Sequence, residues 1–189
     1  MSKSIPEINF SDEQQSIEFE IFDNFELLFR NSLSRLNLFR PHRINFYAIL
    51  YIIKGEGQHF IDFKSYDYRR GTIIFISREQ VHRFVRNPNR EAFFIIFTER
   101  FLENSSMGSR LMQQLSLYNY HFHHPILRLR EEQMGVFTEL IRRAKEEYKI
   151  YKDELTAEIM QSVLKIFLLM AERVRKSGAQ SQEILKHQA

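Results

Sequence analysis

The sequence contains no cysteine and no tryptophan, and only 6 of its 189 residues are glycine and 4 are proline. The lack of cysteine excludes disulfides, thiolate catalysis and cysteine-ligated zinc, and it suits a reducing cytoplasm. No stretch approaches the roughly 18 consecutive apolar residues of a membrane helix, and no apolar segment follows the first residues, so we expect neither a membrane span nor a secretory signal. The low glycine and proline content argues against a disordered chain. We therefore expect a soluble, cytoplasmic, globular protein.

Charge is nearly balanced overall but unevenly distributed along the chain. Residues 1–29 carry one basic and seven acidic side chains, whereas residues 30–110 carry 14 basic and seven acidic ones. The basic excess is scattered through strand-like sequence and does not follow one helix face. A solvated surface explains this distribution better than a nucleic-acid interface does.

The period of the hydrophobic residues changes near residue 100 and divides the chain into two parts. In the first part, β-branched and aromatic runs alternate with turn sequences such as Gly55-Glu56-Gly57, which is typical of an antiparallel sandwich or barrel. The predicted strands are Ser16–Phe22, Asn45–Lys54, Gly57–Phe63, Tyr66–Arg69, Thr72–Ile76, His82–Arg86 and Ala92–Thr98. Short helical turns are expected at Phe25–Ser34.

In the second part, apolar residues recur at spacings of three and four, which predicts helices. The expected helices are Ser106–Tyr118, Glu131–Tyr151 and Asp153–Lys176, and the last two form an antiparallel hairpin. The polar run from Ser177 to Gln182 predicts a linker. We thus expect an arm and barrel at 1–104, a helical region at 105–176 and a linker at 177–189.

Three motifs lie between residues 40 and 82, namely Arg40-Pro41, Gly55-Glu56-Gly57 and the spacing from Gly71 to His82. Together they resemble the cupin barrel of the sensor domain in AraC/XylS-type transcription regulators. Gly55-Glu56-Gly57 matches the family's G-x-G hairpin turn. Gly71, Ser77, Glu79 and His82 follow the spacing of its second cupin motif, with Ser77 and Glu79 in place of Pro and Gly. Arg40-Pro41 stands where the family's arabinose sensor has Arg-Pro. The resemblance covers about residues 15–176.

The resemblance implies an α+β fold. This fold is an antiparallel cupin-type β-barrel, or jelly roll, followed by a C-terminal antiparallel helical hairpin that serves in dimerisation.

The first cupin motif distinguishes a metal enzyme from a sensor. Its ligand positions fall on His42, Ile44 and Ala48, so that only His42 and His82 remain of the family's metal ligands. Two imidazoles hold a divalent ion poorly without further donors. We therefore expect no metal, no cofactor and no catalysis, and a metal-dependent cupin enzyme of small-molecule metabolism is the alternative.

A barrel without a metal can hold an organic ligand. Alternation along the strands places Ala48 and Leu50 inward together with His42, and Phe84 inward together with His82. On the last strand, Phe93, Ile95 and Phe97 share one face and are the expected inward residues. The candidate ligand-binding residues are Arg40, His42, Ala48, Leu50, His82, Phe84, Phe93 and Ile95. It is equally consistent with the sequence that these side chains simply fill a small barrel.

Other histidines are less informative. His59 is either a wall residue of the barrel or a surface residue, because alternation alone does not orient it. His121, His123 and His124 precede Pro125, and an ordinary loop explains them better than half of a metal site does.

The resemblance implies an effector-sensing and dimerisation domain of a transcription regulator, and we expect its effector to be a sugar or an organic acid. We expect a homodimer through Lys165, Leu169 and Arg173 on the last helix. DNA would be contacted only through a helix-turn-helix domain beyond the linker, and the acidic segment Met1–Phe29 would move when the effector binds. A sensor that has lost its effector and retains only dimerisation is a further alternative.

Overall fold

The computed structural model describes residues 5–10, 17–22, 39–103, 111–112, 114–119 and 124–187. The strands in these ranges are β1 (Glu7–Ile8), β2 (Phe19–Phe22), β3 (Arg43–Ile44), β4 (Tyr47–Lys54), β5 (Gly57–Ile61), β6 (Lys64–Tyr68), β7 (Thr72–Ile76), β8 (His82–Phe84), β9 (Glu91–Phe97) and β10 (Ile126–Arg128). The helices are α1 (Glu99–Glu103), α2 (Glu131–Ile150) and α3 (Thr156–His187). The turns expected at Phe25–Ser34, residues 106–110 and 113 of the helix expected at Ser106–Tyr118, and His121 and His123 lie outside the described residues.

Two antiparallel sheets carry the fold. A five-stranded sheet has the order β10-β7-β4-β9-β2, and a three-stranded sheet has the order β6-β5-β8. Strand β1 pairs with β3 in parallel, and an isolated bridge joins His42 to His82. The described strands thus form two facing antiparallel sheets that are not joined into one continuous hydrogen-bonded barrel, and with the C-terminal helices they confirm the expected α+β jelly-roll fold.

The five-stranded sheet is covered on both faces, and this explains its unbroken apolar sequences. All five residues of β7 are buried, because one face of the strand meets the three-stranded sheet and the other meets the helices. The core between the sheets contains Leu50 and Ile74. The core between the sheet and the helices contains their strand neighbours Ile49 and Phe75.

Glycine is required at two turns. Gly55, between β4 and β5, has φ +88°, and a Cβ there would lie 2.9 Å from the carbonyl oxygen of Asn89. Gly71, before β7, has φ +79°, and a Cβ there would collide with the Met134 side chain. Both backbones lie in the left-handed region that residues with a Cβ adopt at a cost, so the predicted turn at Gly55 is confirmed.

The helical hairpin forms as the sequence predicts, although its second helix has different bounds. Asp153 Oδ1 accepts hydrogen bonds from the backbone N–H groups of Leu155 and Thr156, at 3.0 and 3.1 Å, and so caps the start of α3. The helix then continues to His187. Its predicted end at Lys176 is wrong, because Gly178 is the only weak helix former in a run of serine, alanine and glutamine, and one glycine costs a helix only about 1 kcal/mol.

The hydrophobicity of the described helices is that of helices that pack on a sheet. None of the described helices combines the length and the apolar character needed to cross a membrane.

Candidate ligand-binding site

Three buried histidines meet between the two sheets. His42 precedes β3, His59 lies in β5, and His82 begins β8; their exposed fractions are 2%, 0% and 2%. Two backbone hydrogen bonds between His42 and His82, of 3.0 and 2.9 Å, hold the first pair together. His59 is brought in by the pairing of β5 with β8, in which it lies opposite Phe84.

The rings of this histidine cluster are in close contact. The ring centroids of His42 and His82 are 4.2 Å apart, and those of His59 and His82 are 5.5 Å apart. Phe84 packs against the cluster, with its centroid 4.7 Å from that of His59. His82 is therefore the central ring, with His42 on one side and His59 on the other.

The cluster contains almost no hydrogen bonds. His42 Nδ1 lies 2.9 Å from the carbonyl oxygen of Arg40. The other five ring nitrogens, which are His42 Nε2 and both nitrogens of His59 and His82, are buried without a partner in the structure. A buried polar group without a hydrogen bond destabilises the fold by about 1–3 kcal/mol, so these five atoms require an explanation.

Burial also determines the charge of the cluster. Desolvation lowers the pKa of His59 to about 3, with a further contribution from the nearby positive charge of Arg90. Desolvation likewise places the pKa of His82 well below its ordinary value, and it lowers the pKa of His42. All three rings are therefore neutral near pH 7.

Arg90 is a second buried polar feature that sequence reasoning did not find. It is 7% exposed, and its Nη1 donates to the Tyr68 hydroxyl at 3.2 Å. Its guanidinium carbon lies 5.9 Å from the Phe84 ring centroid. The turn sequence Asn87-Pro88-Asn89 before it is typical of a surface loop, so no signal in the sequence points to its burial.

The described residues do not fit a metal site. In the part of the chain that the structure describes, no group of three or more His, Cys, Asp or Glu side chains is arranged to hold an ion. The positions two and six residues after His42 are Ile44 and Ala48, which supply no ligand. The cluster is a set of neutral imidazoles that can both donate and accept hydrogen bonds to a bound molecule.

The structure brings most of the predicted ligand-binding residues together. Ala48, Leu50 and Phe84 all lie in the core between the sheets, beside His42 and His82. Arg40 is exposed and contributes its backbone carbonyl to His42.

The predicted orientation of β9 is wrong. Ile95 is buried in the core between sheet and helices, and Phe93 packs against that core. In the antiparallel pairing of β4 with β9, Leu50 lies opposite Phe94 and Ile49 opposite Ile95, and directly opposed residues point to the same face. Phe94 and Ile96 therefore face the site in place of Phe93 and Ile95.

The N-terminal segment covers the end of the sheets that carries His42. Pro6 O accepts a hydrogen bond from Arg43 N at 2.9 Å, and Ile8 O accepts one from Asn45 N at 3.1 Å. Ile8 is 3% exposed and belongs to the core between the sheets. Asn45 adds two side-chain hydrogen bonds, accepting from Phe10 N at 3.1 Å and donating to Asn9 Oδ1 at 2.6 Å, and the Phe10 ring packs against Phe46.

A separate cavity of about 370 Å³ lies between β4 and the start of α2. Arg70 and Glu131 at its rim already form a two-pronged ion pair, at 2.6 and 2.8 Å. The Tyr51 hydroxyl beneath donates to Met134 O at 3.2 Å. Because these groups are satisfied within the protein, the cavity offers a ligand less than the histidine cluster does.

The residues predicted for dimerisation lie on α3. Leu169 and Arg173 are exposed, and Lys165 is half-buried. Ile166 and Leu169 are exposed by 48% and 44%, so the outer face of α3 presents two neighbouring large apolar side chains.

The chain is similar to a known protein family and to several solved structures. The model of the AraC-like ligand-binding domain matches residues 34–186. No curated protein matches the chain.

Solved structures of regulators match over most of the chain at low identity. An apo ToxT variant from Vibrio cholerae strain SCE256 is 14% identical, with 79% of this chain and 51% of that chain covered and a TM-score of 0.41. The AraC-like transcriptional activator CuxR is 10% identical, with coverages of 80% and 48% and a TM-score of 0.41. The chain thus spans about half the length of these regulators.

A cupin structure matches a smaller share of the chain. This RmlC-like cupin protein with a double-stranded β-helix fold, from Methanocaldococcus jannaschii, is 19% identical. The match covers 42% of this chain and 65% of that chain, with a TM-score of 0.28.

Proposed function

We propose that this chain, which belongs to the AraC-like ligand-binding domain family, senses a small-molecule effector that binds between its two sheets at the cluster of His42, His59 and His82. The observation that supports this most strongly is the set of five buried ring nitrogens without hydrogen-bond partners. A domain whose core had evolved only for stability would have apolar residues at these positions, because unsatisfied polar atoms oppose folding.

Effector binding would act by shifting a conformational equilibrium. In the structure the rings pack directly against one another, with centroids 4.2 Å apart in the closest pair. A ligand that satisfied their nitrogens would favour a state in which the rings are separated. The difference in hydrogen-bonding free energy of the ligand between the packed and the separated state then determines how far the equilibrium moves.

The segment at residues 5–10 is the element that we expect to move first. It covers the sheet end next to His42, and Ile8 is the side chain that it inserts into the core. A ligand that separates His42 from His82 would also disturb β3, to which this segment is hydrogen bonded. The signal would thus reach the N-terminal segment through the backbone of β3.

The helices provide a second route for the signal. Helix α3 packs through Leu164 and Phe167 on the five-stranded sheet and continues to His187. We propose that two copies associate through Lys165, Leu169 and Arg173, and that α3 carries the change toward a helix-turn-helix DNA-binding domain of the whole regulator. Such a regulator would work in the cytoplasm and would have no catalytic activity of its own.

The alternative, a metal-dependent cupin enzyme, finds no support in the cluster. It would need the three imidazoles, or carboxylates beside them, to be arranged around an ion, and among the described residues no group of three or more His, Cys, Asp or Glu side chains is arranged in this way.

Calorimetry with an effector found by a thermal-shift screen of sugars and organic acids tests the proposed site. A ligand at ~100 times its Kd should stabilise the domain by about 2.7 kcal/mol. We expect His82→Leu and His59→Leu to weaken binding at least tenfold. Phe93→Leu, which changes the opposite face of the sheet, is the matched control and should leave binding unchanged. Binding that survives both histidine substitutions would place the effector elsewhere.

Light scattering at micromolar concentration tests the proposed dimer. Leu169→Glu should convert a dimer into a monomer, because it puts charge in the centre of the apolar surface. Val136→Glu is the control, since Val136 is an exposed apolar residue of α2, with an exposed fraction of 58%. A wild-type chain that is monomeric, or equal effects of both variants, would contradict the proposal.

A further inference from the structure

We propose that the effector is an uncharged hydroxyl compound, and that one of its hydroxyl groups donates a hydrogen bond to Nε2 of His42. This inference rests on the proposed function, because it concerns the chemistry of the ligand at the same site.

The contact between His42 and Arg40 determines which nitrogen of His42 carries the proton. Nδ1 lies 2.9 Å from the Arg40 carbonyl oxygen, and a carbonyl oxygen can only accept a hydrogen bond. Nδ1 must therefore be the donor. In a neutral imidazole the other nitrogen then carries a lone pair and no proton, so that the buried Nε2 of His42 is an acceptor that needs a donor.

The numbers of hydrogen bonds that the rings can donate and accept extend this argument to all three histidines. Each of His59 and His82, as a neutral ring, offers one N–H and one lone pair, and none of these four groups has a partner in the structure. With Nε2 of His42, the cluster offers two donors and three acceptors. A ligand that satisfies it must therefore bring donors as well as acceptors.

These two donors and three acceptors distinguish between the two expected effector classes, sugars and organic acids. A carboxylate has only acceptor oxygens, so it could pair with the two N–H groups but would leave three lone pairs unsatisfied. A hydroxyl group donates one hydrogen bond and also accepts. Two or three hydroxyl groups on neighbouring carbons can therefore satisfy the rings on both sides of His82.

The nearby guanidinium of Arg90 does not reverse the preference of the cluster for hydroxyl groups over a carboxylate. Arg90 lies close enough to His59 to lower its pKa, and its Nη1 already donates to the Tyr68 hydroxyl. Its charge could attract an anion to the His59 side of the cluster. An anion bound there would still leave Nε2 of His42, at the other side of His82, without a donor.

The tautomer of His42 can be measured directly in the ligand-free chain. Two-bond 1H–15N correlations of the 15N-labelled protein near pH 7 should show a neutral His42 with its proton on Nδ1. A proton on Nε2, or a doubly protonated ring, would overturn the inference and leave the proposed site intact.

Paired probes then test the ligand class. The full 189-residue chain is titrated calorimetrically with glucose, xylose and hexane-1,2-diol, and with hexanoate and pentanoate as carboxylates of matching carbon number that carry no hydroxyl group. We expect at least one uncharged probe to bind at least tenfold more tightly than its carboxylate. His42→Asn, which retains an N–H for the Arg40 carbonyl and lacks an acceptor at the position of Nε2, should abolish that preference. His124→Asn is the control and should leave it unchanged.

The other outcomes are distinguishable. Tighter binding of the carboxylates that is lost in His59→Leu would overturn the hydroxyl inference and retain the proposed function. Binding that none of the cluster variants alters, or no binding by any probe, would overturn both.

Discussion

Acid should destabilise this domain through its buried histidines, and His59 is the residue for which the effect can be calculated. Its side chain is fully buried, and its pKa falls from 6.5 in the unfolded chain to about 3 in the folded domain. Below pH 6.5 the unfolded state therefore binds a proton that the folded state does not. The free energy of unfolding then decreases as the pH falls toward the folded pKa.

The size of this decrease in the free energy of unfolding depends only on the pKa of His59 in the unfolded chain, as long as the ring stays neutral in the folded domain. Between about pH 7.5 and about pH 5, protonation of His59 in the unfolded chain lowers the free energy of unfolding by about 2 kcal/mol, at about 1.4 kcal/mol per pH unit below the unfolded pKa. His82, whose pKa also lies well below its ordinary value, adds an effect of the same sign.

Urea unfolding followed by circular dichroism at the two pH values measures this change. The wild-type chain contains other titrating groups, so the comparison is with His59→Leu, which removes one ionisable ring at similar volume. We expect the loss of stability between the two pH values to be about 2 kcal/mol smaller in the variant than in the wild type. Ile61→Leu, on the same strand and the same face, is the control and should retain the wild-type dependence.

An unchanged pH dependence in His59→Leu would refute the reasoning. It would mean that His59 is as easily protonated in the folded domain as in the unfolded chain. The ring would then be accessible to water or paired with an acceptor, and the argument for a ligand from unsatisfied nitrogens would lose its main residue.

Other substitutions test the fold around the site. Burial raises the pKa of Glu20 to about 7, so Glu20→Gln should stabilise the chain relative to the wild type at pH 8, and this advantage should shrink toward pH 5 in urea titrations. Tyr51→Phe should lower the thermal midpoint, with a loss of about 1 kcal/mol, because the hydroxyl donates to Met134 O. Gly71→Ala should destabilise by about 1–3 kcal/mol, because φ is +79° there. Gly135→Ala should stabilise by about 0.5–1 kcal/mol, since a Cβ at this helical position meets nothing within 4 Å; equal signs for the two alanine variants would contradict this account.

Much of the architecture was predictable from local patterns. Strand β7 has the predicted bounds, Thr72–Ile76, and α2 begins at the predicted Glu131. Gly55 marks its turn because the backbone there requires a positive φ. These features depend on neighbouring residues, and the sequence therefore contains the information that specifies them.

The family resemblance was equally visible in the sequence. The spacing from Gly71 to His82 indicates the AraC-like sensor domain, and the family match at residues 34–186 confirms it. The roles assigned to individual residues in effector binding and dimerisation stay predictions until the experiments above are done.

The composition of the site depended on tertiary structure. The alternation of side chains along β9 shows which residues share a face. Because β9 is apolar on both faces, the sequence does not show which face meets the other sheet. The register with β4, in which Phe94 lies opposite Leu50, decides this. The same limit applies to His59, which became a member of the cluster because β5 pairs with β8.

The sequence by itself thus determined most of the longer strands, the helical hairpin and the family, and it singled out His42 and His82 as the histidines that remain of the two cupin motifs. Only the tertiary structure decided that His59 and Arg90 are buried beside them and that Phe93 and Ile95 face the helices. The physical reason is that propensity and periodicity act between residues close in sequence, whereas burial depends on which distant strand or helix covers a face.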